Sequence, residues 1–240
     1  MRNTPRTESA ILLLLGLAAT LGACGGAPAQ KAVGPIQRES PQPPRTAMKM
    51  ASELGTIDPG AVKKSFARLD DKFTECQTRG IEHIGVLSGT AKFFVRIGSD
   101  GAAKWAYLED SDIGDGATER CLVGVVMDAQ WPKPEGGDAE VRYSMELSLN
   151  ASRPPNDWSP DKVTGAITRQ AGAIDRCKQG STATFRATLY VGPGGHVLSA
   201  GLAASSKEGA EKTECLEKAL MRLHGLPTPG SWPAKVTFGL

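Results

Sequence analysis

Two stretches of this chain share one pattern and decide its fold: AKFFVRIGSDG at residues 91–101 and RATLYVGPGG at residues 186–195. Each alternates apolar residues with other residues, as a half-buried β-strand does, and each then enters a glycine-containing turn. A cysteine follows the last glycine of the turn by 20 residues in both cases, Cys121 in the first and Cys215 in the second. The sequence therefore predicts one structural unit that occurs twice.

The first copy, residues 58–150, is predicted to begin with a helix. Asp58 supplies an N-cap acceptor, and Pro59 stands where a missing N–H does no harm. Apolar residues then recur at spacings of 4, 3, 4 and 3, so they form one helical stripe. Gly80 is predicted to end this helix, and residues 81–89 are predicted to be loop.

The remainder of the first copy predicts two strands, a helix and a last strand. The alternating run at residues 93–97 and its return at residues 103–107 form a hairpin. Asp115 begins the second helix, and the WPKP motif at residues 131–134 ends it. Alternation over residues 141–149 predicts the final strand, so the order of elements is α-β-β-α-β.

The second copy, residues 159–240, repeats this order. A Ser-Pro pair at residues 159–160 gives the same helix start, Gly180 is predicted to stop the helix, and LPTP at residues 226–229 corresponds to WPKP. Residues 151–158 are predicted to be a linker. We therefore expect an α+β fold with two tandem α-β-β-α-β repeats, each a small antiparallel sheet packed by two helices.

The N-terminus has the pattern of an export signal. Arg2 and Arg6 precede an apolar core at residues 10–21, which is shorter than the roughly 20 residues that span a bilayer. The core closes on LGAC at residues 21–24, which resembles the cleavage motif of bacterial lipoproteins. An ordinary secretory signal with an incidental Cys24 is the alternative.

The resemblance to lipoproteins implies that residues 1–23 are removed and that Cys24 carries a lipid such as palmitate. Gly25, rather than an aspartate, follows the cysteine, and this favours the outer membrane. The proline-rich stretch 24–57 has few aromatic or β-branched residues, so it is predicted to be a disordered tether.

The number of cysteines indicates an oxidising compartment. One of the five cysteines is Cys24, and the other four fall two in each copy. We predict the bonds Cys76–Cys121 and Cys177–Cys215, each of which would join one helix to the next. Pairing across the two copies and a zinc site are the alternatives, although the chain has no C-x-x-C motif.

Charge and histidine content argue against some classes of function. The chain has 28 basic and 26 acidic residues, a balance that does not indicate a nucleic-acid partner. Its three histidines lie near no serine and carboxylate in a recognised order, so no hydrolase site, cofactor or small-molecule substrate is predicted. The first copy is net acidic and the second net basic, so the copies either attract each other, contact different partners or have drifted by chance.

Together these motifs resemble the TonB C-terminal-like module. The resemblance covers residues 90–149 best, through the turn at 98–101, Cys121, the WPKP motif and the Gly-Gly pair at 136–137, and residues 182–240 more loosely. The cysteine makes the chain similar to the AgmX/PglI C-terminal type of myxobacterial envelope and gliding-motility proteins. The resemblance implies an αβ envelope module without known catalytic residues.

The chain departs from TonB itself, because a lipoprotein signal stands where TonB has a transmembrane helix. A lipid anchor cannot transmit force from an inner-membrane motor, so energy transduction is not expected. We expect instead a non-catalytic, lipid-anchored binding or scaffold protein that recognises another envelope protein. Addition of an extended segment of that partner to a sheet edge is the expected mode.

An envelope enzyme or a metal-binding protein is the alternative, with its site in the acidic segment 110–119. Four carboxylates of this segment resemble calcium ligands: Asp110, Asp112, Asp115 and Glu119. In an EF-hand frame, however, Asp115 replaces the required glycine and Cys121 the required glutamate. An acidic loop with a helix cap is therefore preferred. Three aromatic residues either line a ligand groove or belong to the core and the strand faces: Trp105, Tyr107 and Trp131.

Overall fold

The fold is mixed α+β, with seven helices and two sheets among the residues that this computed structural model describes, 54–148 and 153–240. The α+β class predicted from the sequence is therefore confirmed. All described residues belong to one compact unit. The predicted signal peptide 1–23, the predicted lipid-attachment residue Cys24 and most of the predicted tether 24–57 lie outside the described residues.

The first half holds three helices and a three-stranded sheet. Its elements are α1 (Pro59–Ala67), α2 (Asp70–Ile84), β1 (Gly89–Ile97), β2 (Ala103–Ser111), α3 (Gly116–Met127) and β3 (Ala139–Leu147). In this sheet, called sheet 1, the order is β2-β1-β3 and both pairs are antiparallel. The hairpin strands are longer than predicted, so the acidic segment 110–119 begins on a strand.

The second half holds four helices and a four-stranded sheet, sheet 2. Its elements are β4 (Asn156–Trp158), α4 (Asp161–Arg169), α5 (Ala171–Lys178), β5 (Phe185–Val191), β6 (Val197–Ala204), α6 (Lys207–Ala210), α7 (Thr213–Leu220) and β7 (Ala234–Gly239). The order is β4-β7-β5-β6, antiparallel except that β4 runs parallel to β7. The prediction that residues 151–158 form only a linker is therefore wrong for β4, where Trp158 also packs against the core of this half.

The first predicted helix is divided in two and ends later than predicted. Asp58 caps α1 as expected, since its carboxylate accepts hydrogen bonds from two N–H groups of the first turn at 3.0 and 3.1 Å. Helix α2 runs through Gly80 and ends at Gly85, which adopts a φ of 80°. Gly80 is needed for close packing instead, because a side chain there would collide with Thr118 and Leu87.

The first helix of the second half is divided as well, at Gln170 between α4 and α5. Ser159 does not cap it as predicted. The Ser159 hydroxyl contacts the carboxylate of Asp161, and α4 begins after Pro160 without a side-chain cap. Each half therefore has more helices than the two that were predicted, and in each the first helix is divided.

Aromatic rings fill the space between sheet 1 and its helices. Phe66 on α1 is fully buried and stacks on Tyr143 of β3, with 3.8 Å between ring centroids. Its ring centroid lies 6.0 Å from that of Phe93 and 4.7 Å from that of Trp131. Trp131 is thus a core residue, and its indole N–H donates to the Val126 carbonyl at 3.2 Å.

Sheet 2 is covered on both faces. Strand β5 is buried at every position from 187 to 191. Ala187, Leu189 and Val191 pack with α4, α5 and α7, whereas Tyr190 on the opposite face belongs to the core of the first half. The first half therefore acts as the second covering layer of sheet 2.

Two disulfides join helices within the halves. Cys76 on α2 is bonded to Cys121 on α3, and Cys177 on α5 is bonded to Cys215 on α7, with Cα–Cα distances of 5.8 and 5.6 Å. These are the two pairs favoured from the sequence, and neither crosses between the halves. The disulfides fit an oxidising compartment. In the described parts of the chain, no helix has the length and apolar character needed to cross a bilayer.

We expect the double variant Cys177→Ser/Cys215→Ser to lose about 4 kcal/mol of stability, the chain-entropy estimate for a loop of this size. The bond links residues 38 positions apart, and the comparison pair Cys76→Ser/Cys121→Ser removes a bond across 45 positions. Urea unfolding followed by tryptophan fluorescence measures both changes. Unfolding curves that coincide with that of the wild type would contradict the expectation.

Candidate functional site

The acidic segment 110–119 lies where the first half meets sheet 2. Its first residue, Asp110, lies on β2, and Asp115 caps α3. The Asp115 carboxylate accepts hydrogen bonds from the Thr118 N–H at 2.9 Å and from the Thr118 hydroxyl at 2.7 Å. The helix start predicted at Asp115 is confirmed, and this carboxylate is occupied by its own helix.

Asp110 and Asp112 both face basic residues of the second half. Arg186 Nη1 lies 3.3 Å from Asp110 Oδ2, and Lys235 Nζ lies 3.9 Å from Asp112 Oδ2. Asp112 also accepts a hydrogen bond from the Thr90 N–H at 2.5 Å, within the first half. These pairs join an acidic residue of the first half to a basic residue of the second. This direction agrees with the net acidic charge of the first half and the net basic charge of the second.

Glu119 on α3 is the carboxylate that both halves share. Its Oε1 accepts hydrogen bonds from the Ser111 hydroxyl at 2.8 Å and from the Gly114 N–H at 3.4 Å. Its Oε2 accepts one from the Leu202 N–H of β6 at 2.8 Å. Beside it, the Ser199 hydroxyl of β6 donates to the Gly114 carbonyl at 2.8 Å. Because β6 is the edge strand of sheet 2, Glu119 supplies the acceptor that a further strand would otherwise provide.

Burial controls the protonation of this carboxyl. Desolvation raises the pKa of Glu119 above its usual value of 4.5, and the neighbouring charge of Asp115 adds to the rise. The hydrogen bonds from Ser111, Leu202 and Gly114 favour the carboxylate and act in the opposite direction. Buried carboxyl groups whose desolvation is partly offset by hydrogen bonds occur both at interfaces and in reaction centres. The residues that contact Glu119 distinguish the two cases.

A second set of contacts fixes the loop before β1. The Tyr190 hydroxyl accepts from the Ser88 N–H at 3.4 Å and donates to the Ser88 carbonyl at 3.3 Å. Lys235 Nζ donates to the same carbonyl at 2.8 Å. Burial raises the pKa of Tyr190 to about 12 and lowers the pKa of Lys235. These side chains of sheet 2 therefore hold the backbone of the first half.

A cavity of about 190 Å³ opens beside Glu119, with lining residues from both halves. Tyr107 of β2 and Leu202 of β6 form part of its wall, and the ion pair between Arg120 and Glu217 lies among the lining residues. Small-molecule sites usually have volumes of roughly 300–1,000 Å³, so this cavity is small for such a ligand.

The carboxylates of the acidic segment do not converge on a common point. Each contacts separate protein donors or cations, and Cys121, the last ligand in the EF-hand frame, is held in a disulfide. Within residues 54–148 and 153–240, no group of three or more His, Cys, Asp or Glu is placed to hold a metal ion. The geometry is that of an interface between halves.

The aromatic residues named as groove candidates have different environments. Trp105 is half-buried on the outer face of sheet 1, where Arg96 and Lys207 lie 5.8 and 5.7 Å from its ring centroid. Tyr107 is buried and lines the small cavity. Trp131 belongs to the core. The structure therefore does not bring the three together in one groove.

The outward side of β3, residues 140–147, forms an exposed sheet edge that we call the β3 edge. Strand β3 pairs with β1 without a register shift. On its other side, the described parts of the chain place no strand next to the β3 edge. Residues 54–57, assigned to the tether from the sequence, do pair with the chain just before it, through bridges to Glu135 and Asp138. Among residues 54–148 and 153–240, nothing pairs with the edge beyond Asp138.

The residues that the second half contributes to the interface were not identified from the sequence: Tyr190, Ser199, Leu202 and Lys235. The sequence did contain one signal for Tyr190. Residues 187–191 are mostly apolar, as in a strand buried on both faces, whereas a strand with one solvent-exposed face would alternate. The Leu202 contact uses a backbone N–H, which has no side-chain signature.

Comparisons of the chain with protein-family models, with curated proteins and with solved structures found no match. The resemblance to the TonB C-terminal-like module therefore stays a prediction from motifs.

We expect Glu119→Gln to destabilise the fold by about 1–3 kcal/mol, because an amide NH2 replaces a carboxyl oxygen that accepts a hydrogen bond and the NH2 group cannot accept one. The effect should be larger near pH 5 than near pH 8. The folded-state pKa is raised above 4.5, so the contribution of Glu119 is complete below 4.5 and falls as the pH rises through the folded pKa. Urea unfolding at both pH values measures this difference.

Glu140→Gln is the matched control, since Glu140 is an exposed carboxylate that pairs with Arg96 on the outer face of sheet 1. Its loss should be below about 1 kcal/mol. Equal losses in the two variants would show that Glu119 has no special role in joining the halves.

Proposed function

We propose that this protein is a lipid-anchored binding or scaffold protein of a bacterial cell envelope. In this proposal Cys24 holds it on the outer membrane, and the folded part recognises a protein partner without catalysing a reaction. The LGAC motif at residues 21–24 supports the anchor. The two disulfides support exposure to an oxidising compartment.

We also propose that the halves are tandem copies of one module of the TonB C-terminal-like, AgmX/PglI type. Both contain a divided helix, a hairpin, a further helix and a last strand that pairs with the first hairpin strand. In both, a disulfide joins the divided helix to the later helix. The extra strand β4 and the short helix α6 are the differences.

The β3 edge is the observation that supports binding best. A strand edge presents unpaired N–H and C=O groups, which an extended segment of a partner satisfies by adding as a further strand. On the helix side of the sheet, Tyr143 and Met145 of β3 are half-buried against the core. A partner segment with apolar residues at alternate positions would cover both side chains.

The use of the acidic segment also favours binding over catalysis. Asp115 and Glu119 have partners in α3, β2 and β6, and Asp110 and Asp112 face cations of the second half. These carboxylates therefore serve to join the halves, whereas the alternative of an enzyme or metal-binding protein needs them for a ligand.

We expect Cys24→Ser to remove the protein from the membrane, because the thiol is the proposed point of lipid attachment. Wild-type cells fed radioactive palmitate should yield labelled protein in the envelope fraction, whereas the variant should be unlabelled and recovered in the soluble fraction. Cys177→Ser/Cys215→Ser, which removes a disulfide but leaves Cys24, is the control and should keep its label. Label retained by Cys24→Ser would contradict the proposed anchor.

We expect a photo-crosslinking amino acid at Ser144, an exposed residue of the β3 edge, to form a discrete adduct in living cells. The same probe at Lys218, whose side chain is 67% exposed on α7, should not form it. Cys24→Ser should reduce the adduct, since it separates the protein from its membrane. Absence of any adduct specific to Ser144 would contradict recognition through this edge.

A further inference from the structure

The β3 edge lacks two of the features that usually keep sheet edges from pairing, a proline and a β-bulge. Its sequence, AEVRYSMEL over residues 139–147, contains no proline, and its pairing with β1 contains no bulge. The chain before it is occupied, because Asp138 bridges to Leu54. Any strand that adds to this edge must therefore lie beyond Asp138.

A second copy of this edge can add to the first in an antiparallel arrangement related by a two-fold axis. Paired residues must have their side chains on the same face of the joined sheet. The two-fold axis must therefore lie midway between one residue of β3 and the same residue of the second copy, and each choice of that residue gives one possible register. The side chains on the outer face then decide between registers. In order along β3 they are Glu140, Arg142, Ser144 and Glu146.

One register is favoured by charge. An axis through Ser144 places Arg142 opposite Glu146 of the second copy, and it does so twice by symmetry. An axis through Tyr143 would instead oppose Glu140 and Glu146, which repel. An axis through Arg142 would oppose two arginines.

Two further observations fit the register centred on Ser144. An axis at Val141 would also pair opposite charges, Glu140 with Arg142 of the second copy. That register would bring Asp138 into the pairing, however, and Asp138 is already bridged to Leu54. Within the described residues, Glu146 makes no ion pair, so its carboxylate is available for Arg142 of the second copy. Arg142 lies over the ring of Phe94 on β1 and contacts Glu109 of β2 at 3.0 Å, so its side chain turns outward to reach Glu146 of the second copy.

The helix side of the sheet is also complementary in this register. Tyr143 comes opposite Met145 of the second copy, and Val141 comes opposite Leu147. Tyr143 and Met145 are both half-buried in the single chain, so pairing removes further apolar surface from water.

We infer that a second copy of this chain docks on the β3 edge, so that two three-stranded sheets join in one six-stranded sheet centred on Ser144. The inference rests on the proposed function, because it names the partner that adds a strand at the same edge. A self-associating scaffold would place two anchors side by side.

Cysteine trapping tests the register with the full chain in detergent. Residues directly opposite in an antiparallel pair have Cα atoms about 4.5–5.5 Å apart, which suits a disulfide. Ser144→Cys should therefore give a covalent dimer under mild oxidation. The matched control Glu146→Cys should not, because the two copies of residue 146 lie roughly 13 Å apart, four residues along the strand.

A charge exchange tests the same pairing without cysteines. Glu146→Arg alone places arginine opposite arginine at both contacts between positions 142 and 146. Arg142→Glu alone places glutamate opposite glutamate at both contacts. Each should raise the dimer dissociation constant about tenfold in analytical ultracentrifugation. An equimolar mixture of the two variants restores both opposite-charge pairs and should bind as tightly as the wild type. Thermal unfolding of each variant checks that the monomers are folded.

A Ser144-specific covalent dimer together with restoration on mixing supports the inference. Equal cross-linking at positions 144 and 146, or no restoration on mixing, overturns it. If the full chain stays monomeric while the probe at Ser144 captures a different envelope protein in cells, the inference fails and the proposed function stands. If the probe captures neither a second copy nor another protein, both fail.

Discussion

A buried carboxylate determines how the two halves of this protein fit together. Removing a carboxylate from water costs several kcal/mol unless hydrogen bonds replace the lost solvation. Glu119 receives those bonds from its own half and from the Leu202 N–H of sheet 2. Since a hydrogen bond is directional, the arrangement fixes the position of β6 relative to α3. The neighbouring contacts of Ser199, Tyr190 and Lys235 act on the same seam.

The fold could be predicted from the sequence where the signals are local. Alternation in β1 and the caps at Asp58 and Asp115 each depend on residues close together in the chain, and each was interpreted correctly. The disulfides were predicted from a different signal, the presence of two cysteines in each copy. Gly80 shows the limit of this approach. Glycine is common at helix ends, but here it makes room for Thr118, almost 40 residues later, and the helix continues. Propensity could not distinguish the two reasons for a glycine.

The sequence identified the acidic residues of the candidate site but not all of the contacts that they make. The acidic residues of segment 110–119 were visible in the sequence, and the preference for a helix cap over a calcium loop agrees with the bonds that Asp115 makes. The role of Glu119 was hidden because its partner in β6 lies 83 residues away and contributes a backbone N–H. The β3 edge was equally hidden, since strand order depends on pairing that alternation alone does not specify.

The unequal covering of the two sheets gives the chain a direction of assembly. The outer face of β3 carries charged side chains, and most of the core of the first half comes from residues up to Leu147, to which sheet 2 adds Tyr190 and Ala203. Sheet 2 needs the first half to cover Tyr190 and its neighbours. Because synthesis releases the N-terminal half first, the surface that the later sheet requires is already made when that sheet emerges. The earlier half thus presents the covering surface for sheet 2, and sheet 2 in turn supplies Tyr190 and Ala203 to the core of the first half.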